Sequence, residues 1–324
     1  MKLTLRSTLL AAATLVAPVA AQADDFFSIG SCPVGCTAYT WSAGIADVIN
    51  KNVEGVEVTA EETKGYVANI NLLQAGEIEA SMATSLSSYE AWAATGPYEG
   101  SEPGKILSWM SIAPVGMHII TLEGGPINSV EDLKGKRVGM GQPGGVSMLD
   151  ANALMGMVAG EDFEAFRVRL ADMVDMLSDG NIDAALWNGS FPLPPVIKLS
   201  AQRDVKLIPI SDEFFADLNA KYPPYFRLSI PGGTYEDVAA DTPTYGLANG
   251  LVVLADVSEE RVYEMTKAIF ESLDDLAGVH PAFGRVSKDT VLNGFGAPLH
   301  PGALKYYREI GVPGIEEFVA RTGG

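Results

Sequence analysis

Cysteine and histidine are scarce in this chain of 324 residues, which has two of the first and three of the second. Neither type clusters along the sequence with the spacing that holds a metal ion. The signatures of several large enzyme classes are missing as well. No G-x-S-x-G elbow, HExxH pair or GxxxxGK[ST] loop occurs, so nothing local marks a hydrolase, a zinc protease or a P-loop, and the loop between Phe26 and Asn50 has no GxGxxG turn. Basic residues are few, with 22 Lys and Arg against 41 Asp and Glu and a formal net charge of −19. That balance argues against nucleic acid and against anionic membrane surfaces as partners. It leaves an anionic ligand open, because the field inside a cleft is set by loop amides and nearby cations rather than by the total. Past the first 23 residues no run approaches the roughly 20 apolar residues of a membrane helix, so direct membrane insertion is not expected.

What is present begins with an address. MKLTLRSTLLAAATLVAPVAAQA places Lys2 and Arg6 before an apolar core and ends in Ala21-Gln22-Ala23. This reads as a secretory signal peptide over residues 1–23, with the mature chain starting at Asp24 in the periplasm. In that oxidising setting Cys32 and Cys36, four apart in one loop, predict a disulfide. A thiol-redox or copper site on the same pair is the rival. The histidines, His118, His280 and His300, lie far apart, and no metal or other cofactor is expected.

The mature chain is longer than one hydrophobic core usually organises, which predicts two lobes. Apolar periodicity alternates between strand and helix: strands over Phe26–Ile29, Val56–Ala60 and Ala80–Ala83, helices over Thr40–Lys51, Val67–Ala75 and Ser87–Ala94. This βαβαβα order is the mark of a parallel sheet wrapped by helices. A Gly/Pro-rich break, Gly96–Lys105, precedes a long apolar run, ILSWMSIAPVGMHIITL. The second series has Ser129 and Asp132 spaced as a capping box, a strand over Lys136–Met140, a loop over Gln142–Val146 and a helix over Ser147–Val158 with Ser147 as its N-cap. Further strands are expected at Ala184–Trp187, Val205–Pro209 and Arg227–Ile230. GLANGLVVLA reads as a second crossing strand, and Ser258–Leu273 as an amphipathic helix. The fold class is therefore α/β, with two lobes joined by crossing strands and a ligand cleft between them.

Four stretches in order, VEGVEVTAEETKGYVANINLLQAGEIEAS, INSVEDLKGKRVGMGQPGG, DAALWNGSFPLPPVI and PLHPGALKYYREIG, resemble the TAXI solute-binding proteins of the tripartite ATP-independent periplasmic (TRAP) transporters. The resemblance implies a type II periplasmic binding protein fold, with residues 24–115 and 247–324 in one lobe and 116–246 in the other. It also implies a monomer that captures a small organic acid or amino acid and presents it to the membrane subunits of a TRAP symporter, with no catalysis. The sequence departs from the family in its loops. Cys32 and Cys36 stand at glycine positions, Ala38 replaces a tyrosine, Lys64 and Tyr66 replace Gly and Ser, and Thr84, Ser85 and Leu86 stand where Gln, a small residue and Asp are usual.

Candidate ligand contacts follow from the loops at predicted strand ends. In the first lobe they are Ser31, Thr37, Tyr39, Lys64, Gly65, Tyr66, Thr84 and Ser85. In the second they are Gly144, Gly145, Val146, Ser147, Trp187, Asn188 and Ser190. Lys64 beside a helix N-terminus, and the Gly144–Ser147 amides opposite it, would each suit an anionic group; Lys64 as a solvated surface charge is the plainer alternative. Tyrosine offers a flat wall and a hydroxyl together. Trp41 is divided between core and site, and His118 reads as a core histidine. Leu86 takes the usual acidic position, and Glu62 is the only acid in these loops. The ligand expected is thus an anion without an ammonium group, a C4–C6 organic acid such as 2-oxoglutarate, with glutamate or glutamine as the alternative.

Overall fold

A computed structural model of the chain describes residues 25–143 and 145–323. The expected signal peptide, Asp24, Gly144 and Gly324 lie outside them. The chain opens as β1 (Asp25–Gly30), α1 (Thr37–Asn52), β2 (Val56–Glu61), α2 (Tyr66–Ala75), β3 (Ala80–Thr84) and α3 (Ser85–Ala93). The first long apolar run is a single strand, β4 (Ile106–Leu122). Then come β5 (Arg137–Met140), α4 (Val146–Val158), β6 (Glu164–Arg167), α5 (Leu170–Ser178), β7 (Ala184–Gly189), α6 (Pro194–Ser200), β8 (Val205–Leu207), α7 (Asp212–Lys221) and β9 (Phe226–Ile230). The second long run is β10 (Thr242–Leu254), followed by α8 (Glu259–Glu271), α9 (Leu273–Val279), α10 (Pro301–Glu309) and α11 (Ile315–Thr322).

The strands form one mixed sheet in the order β2-β1-β3-β10-β4-β7-β5-β6, with β8 on β4 and β9 on β10. β1 pairs in parallel with β2 and β3, and β5 with β6 and β7, as βαβ crossovers require. β4 and β10 are antiparallel to each other and run through both halves. β10 pairs with β9 over Thr242–Gly246 and with β3 over Asn249–Val253. Between those partners Leu247 and Ala248 pair only with Val115 and Pro114 of β4. Pro114 has no N–H to give the ladder, and the Ala248 N–H donates to the Ser85 hydroxyl at 3.1 Å. The sheet thus narrows to two strands at its middle. Gly250 sits beside this neck, where a Cβ would run into the Met110 carbonyl oxygen and crowd Phe295.

Separate cores fill the two halves. One gathers Ile29, Trp41, Trp109, Phe283 and Tyr307 around α1, α8 and α10; the indole N–H of Trp109, fully buried, donates to the Thr266 hydroxyl at 2.8 Å. The other gathers Val138, Leu154, Tyr225 and Tyr245 around α4. Leu86 of α3 is buried in this second core, so the position that resembles an acidic ligand contact is a packing position instead.

Three local readings are corrected. Asp132 accepts from the N–H groups of Asn128 and Ser129, but the turn it serves, Glu131–Leu133, is a single 3₁₀ turn capped by Val130 without a side-chain bond, so the capping box is only half made. Gly145, not Ser147, is the N-cap of α4. The amphipathic stretch after Ser258 breaks at Ser272 into α8 and α9. The helices also begin earlier than periodicity placed them. α1 starts at Thr37 because the Cys36 sulfur accepts from the Tyr39 N–H, and α3 at Ser85 because Thr84 and Ser87 form a reciprocal cap.

Candidate functional site

At the narrow middle of the sheet, elements from both halves enclose a cleft of about 440 Å³. Its first wall is the start of α1 at Thr37 and Ala38, Trp41 one turn on, and Tyr66 at the start of α2. Its opposite wall is the end of β7 and the loop beyond it, Asn188 to Phe191. The floor is Ala113–Val115 of β4 with Asn249 of β10, and the rim is a C-terminal segment, His280–Ala282 with Arg285.

Backbone geometry explains why these groups meet. Cys32 and Cys36 are joined by a disulfide that closes the loop before α1, and the Cys36 sulfur caps that helix, so Thr37 and Trp41 are fixed on its cleft side. Gly65 takes φ +105°, a conformation that favours glycine, and turns the chain into α2 at Tyr66. Its N–H donates to the Thr63 hydroxyl at 3.0 Å. The buried Asn69 holds the same loop to the ends of β1 and β3: its amide donates to the carbonyls of Ser31 at 2.8 Å and Met82 at 2.9 Å, and its oxygen accepts from Thr63 at 2.6 Å.

Among the described residues, three buried polar atoms of side chains that line the cleft have no hydrogen-bond partner: Trp41 Nε1, Asn188 Oδ1 and Asn249 Oδ1. Trp41 is 3% exposed and Asn188 7%. A buried polar group without a partner is costly, and native proteins keep few of them. The side chains that carry them, one donor and two acceptors from three elements, line one space. Arg285 adds a positive charge at the rim, exposed and in no ion pair among the described residues. The Trp41 ring is held edge-on by His280, with ring centres 5.5 Å apart, and by Phe283 at 6.2 Å.

Behind Asn188 lies a buried acid. The carboxylate of Asp150, on α4, accepts from the Tyr225 hydroxyl at 2.7 Å and from the Asn188 side-chain amide. Burial pushes this carboxyl up to about 7; the Tyr225 bond pulls it down, and the charge of Glu90 pushes it up further. Burial likewise pushes Glu90 up to about 7.

Of the residues expected from the sequence, Thr37, Tyr66, Asn188 and Ser190 line the cleft. The others take different places. Ser31 is fully buried, with its carbonyl tied to Thr63 and Asn69. Tyr39 is half-buried off the lining, and Lys64 stands exposed outside it. Gly65 acts through its backbone. Thr84 caps α3, and Ser85 supports the neck. Gly145 and Val146 begin α4, and Gly144 lies outside the described residues. The Ser147 hydroxyl donates to the Asn188 carbonyl at 3.0 Å and accepts from its N–H at 3.3 Å, which fastens α4 to β7. Trp187 points to the opposite face of β7 and packs in the core there. His118 is fully buried between the Gly116 carbonyl and the Tyr235 hydroxyl, each at 3.0 Å, and burial pushes its imidazole down to about 4. Sequence reasoning missed Arg285, Asn249 and Asp150. Arg285 and Asn249 lie far along the chain from the loops they face. Asp150 sits inside a helix with no local mark. Glu62, the one acid of those loops, is exposed off the lining, whereas an acid outside them, Asp150 of α4, touches Asn188. No group of three or more His, Cys, Asp or Glu is placed to hold a metal ion among the described residues, and no helix there is long and apolar enough to cross a membrane.

The sequence profile of the NMT1-like family matches residues 29–311. Three solved structures share the fold. A protein of Xanthomonas citri bound to ATP has 11% identity and a TM-score of 0.54, with 92% of this chain and 99% of that one covered. PhnD1 of Prochlorococcus marinus, in complex with methylphosphonate, has 12% identity and a TM-score of 0.51, with 92% and 98% covered. The periplasmic sulfonate-binding protein of a sulfonate ABC transporter from Methylobacillus flagellatus has 13% identity and a TM-score of 0.51, with 93% and 88% covered. At these identities the likeness concerns the two-lobed α/β fold.

Proposed function

The chain belongs to the NMT1-like family over residues 29–311, and from that premise we propose that it is a periplasmic solute-binding protein without catalytic turnover, closing around one small organic anion. The observation that carries this is one cleft lined by Trp41, Asn188 and Asn249, each with a buried polar atom that has no partner among the described residues, and with Arg285 at its rim. A ligand carboxylate would accept from Trp41 and Arg285, where a charge-assisted bond is strongest. Its size class is a C4–C6 organic acid, which suits a cleft of about 440 Å³. Residues 24–115 with 247–324 form one lobe in this reading and 116–246 the other, hinged where β4 and β10 stand alone. The ligand is delivered to membrane subunits, which the four TAXI-like stretches point to as a TRAP symporter.

A thermal-shift screen of the mature chain against C4–C6 acids and amino acids tests the first part. A ligand at 100 times its dissociation constant should stabilise the fold by about 2.7 kcal/mol. X-ray scattering with the same ligand should show compaction. No stabilisation by any small acid, or identical shapes at saturation, would remove the reading. Uptake into vesicles carrying the membrane subunits should follow an ion gradient; uptake that needs ATP instead would replace the symporter by an ABC transporter.

A side chain that favours an amino acid as second reading is Asp150, which places a buried carboxylate one residue behind the cleft wall.

A further inference from the structure

Asn188 is held on every side but one. Its backbone N–H and carbonyl both engage the Ser147 hydroxyl, and its side-chain NH₂ donates to Asp150. Asp150 in turn accepts from Tyr225, whose ring stacks edge-on against Tyr245 with centres 4.8 Å apart. With the NH₂ committed to a carboxylate, the amide cannot present it to the cleft. What remains is Oδ1, buried, without a partner among the described residues and able only to accept. Asn249, a half-buried lining residue from β10, carries a second buried oxygen without a partner among the described residues. A ligand carbonyl placed there would leave acceptors facing an acceptor, whereas a hydroxyl or amine would satisfy them.

Resting on the solute-binding reading above, we propose that Asp150 is a positioning residue that locks Asn188 with its oxygen toward the cleft, so that the protein selects acids bearing an O–H or N–H donor beside the carboxylate over the corresponding 2-oxo acids. The lock depends on protonation. Asp150 is faced by Tyr225 from the turn before β9, Tyr245 from β10, Asn188 from β7 and the charge of Glu90 from α3. Above about pH 7 its carboxylate only accepts, and the amide is fixed. As pH falls through that value the protonated carboxyl donates, Asn188 can turn its oxygen inward, and the NH₂ swings to the cleft. Preference for a donor on the ligand then fades. In Asp150→Asn the Tyr225 hydroxyl takes the new amide's oxygen, its NH₂ faces Asn188, and the wall is again turned.

The probes are 2-hydroxyglutarate and 2-oxoglutarate, equal in length and in carboxylates and different only at C2. Calorimetric titration of the mature chain at pH 8 should give the hydroxy acid about 10- to 100-fold tighter binding, the span of one satisfied against one unsatisfied buried acceptor. The ratio should fall below about threefold at pH 5.5, and at both pH values in Asp150→Asn. A second measurement needs no ligand: the Asn188 side-chain NH₂ signals in ¹⁵N NMR, assigned by their loss in Asn188→Ala, should shift with a midpoint near pH 7 and stay still in Asp150→Asn. Equal affinity for the two acids, tighter binding of the oxo acid at pH 8, or pH-independent NH₂ signals would each overturn the proposal. A chain that binds neither acid would count against the solute reading for this ligand class, and the amide titration would still decide the role of Asp150.

Discussion

Replacing Asn69 tests how the first wall of the cleft is held. This side chain is fully buried on α2, and its two amide hydrogens serve three carbonyls, those of Ser31 at 2.8 Å, Met82 at 2.9 Å and Gly30 at 3.3 Å. Asn69→Ala removes those bonds and the one accepted from Thr63. At about 0.5–1.5 kcal/mol for each well-formed bond, and a further increment for the space left behind, the loss should be about 2–4 kcal/mol. Asn69→Asp is the sharper change, because it keeps shape and volume while removing both hydrogens. An ionised carboxylate there would face three carbonyl oxygens, so it must take a proton to donate, and its folded pKa would rise above the ordinary value near 3.9. A group shifted upward gives stability that is complete below the unfolded pKa and lost as pH rises through the folded one. Asn69→Asp should therefore be worse than Asn69→Ala at pH 8, by more than about 4 kcal/mol relative to the parent, in line with a buried unpaired charge. At pH 4.5 most of that difference should vanish. Urea unfolding of parent and both variants at the two pH values measures it. An Asp variant as stable as the parent at pH 8, or a deficit unchanged by pH, would refute the argument that this amide acts as a donor.

The same sign rule applies to Asp150: the parent's stability from this carboxyl is full below about pH 4 and lost as pH rises through about 7. Asp150→Asn should therefore gain on the parent by a few kcal/mol between pH 4 and pH 8 in calorimetric melts, and parallel curves would contradict it. Cys32→Ser with Cys36→Ser opens a closed loop of only five residues, for which chain entropy gives about 2 kcal/mol; a fall in urea midpoint several times larger would mean that the sulfur cap on α1 matters more than loop closure. Arg285→Gln should leave the melting temperature of the free protein within the scatter of surface substitutions and weaken acid binding about tenfold or more. Trp41→Phe keeps the ring against His280 and Phe283 but loses the indole N–H, so binding should weaken while the core holds; unchanged affinity would detach that N–H from the ligand.

Much of the frame was legible because local periodicity and long-range role coincide in it. The alternation of short apolar strands and amphipathic helices from Phe26 to Ala94 gives the parallel βαβ units directly, and the two long apolar runs are long because β4 and β10 are buried in both halves. The helix starts were less legible, since a sulfur cap at Cys36 and a Ser87 return bond at Thr84 are not patterns of hydrophobicity. Site residues divided by the reach of their causes. Thr37 and Tyr66 open helices after loops, and Asn188 and Ser190 follow a strand, so chain order alone put them at a cleft. Ser31, Thr84, Ser85 and Ser147 have the same local setting, yet the hydroxyls of Ser85 and Ser147 bond to the backbone of β10 and β7, Thr84 caps its own helix, and Ser31 is tied through its carbonyl. No local pattern separates a hydroxyl that faces ligand from one that fastens a strand. Arg285 and Asn249 reach the cleft only through the return of the chain after β10, which no window of neighbouring residues contains.

For the proposed closure, the neck at Leu247 and Ala248 would act as a torsion bar. Each half of the sheet is stiffened by its outer strands, but the stretch between Gly246 and Asn249 has only β4 beside it, broken in its ladder at Pro114 and steadied by one serine hydroxyl. In the hinged reading proposed above, twist applied at either end would collect in a span of two residue pairs, and the walls that carry Trp41 and Asn188 would turn about it. Pro114 and Val115 of the cleft floor lie on that span, and Ala113 and Asn249 directly beside it, so a ligand in the cleft would touch the shaft as well as the walls, and the proposed closure would be set at the point of binding.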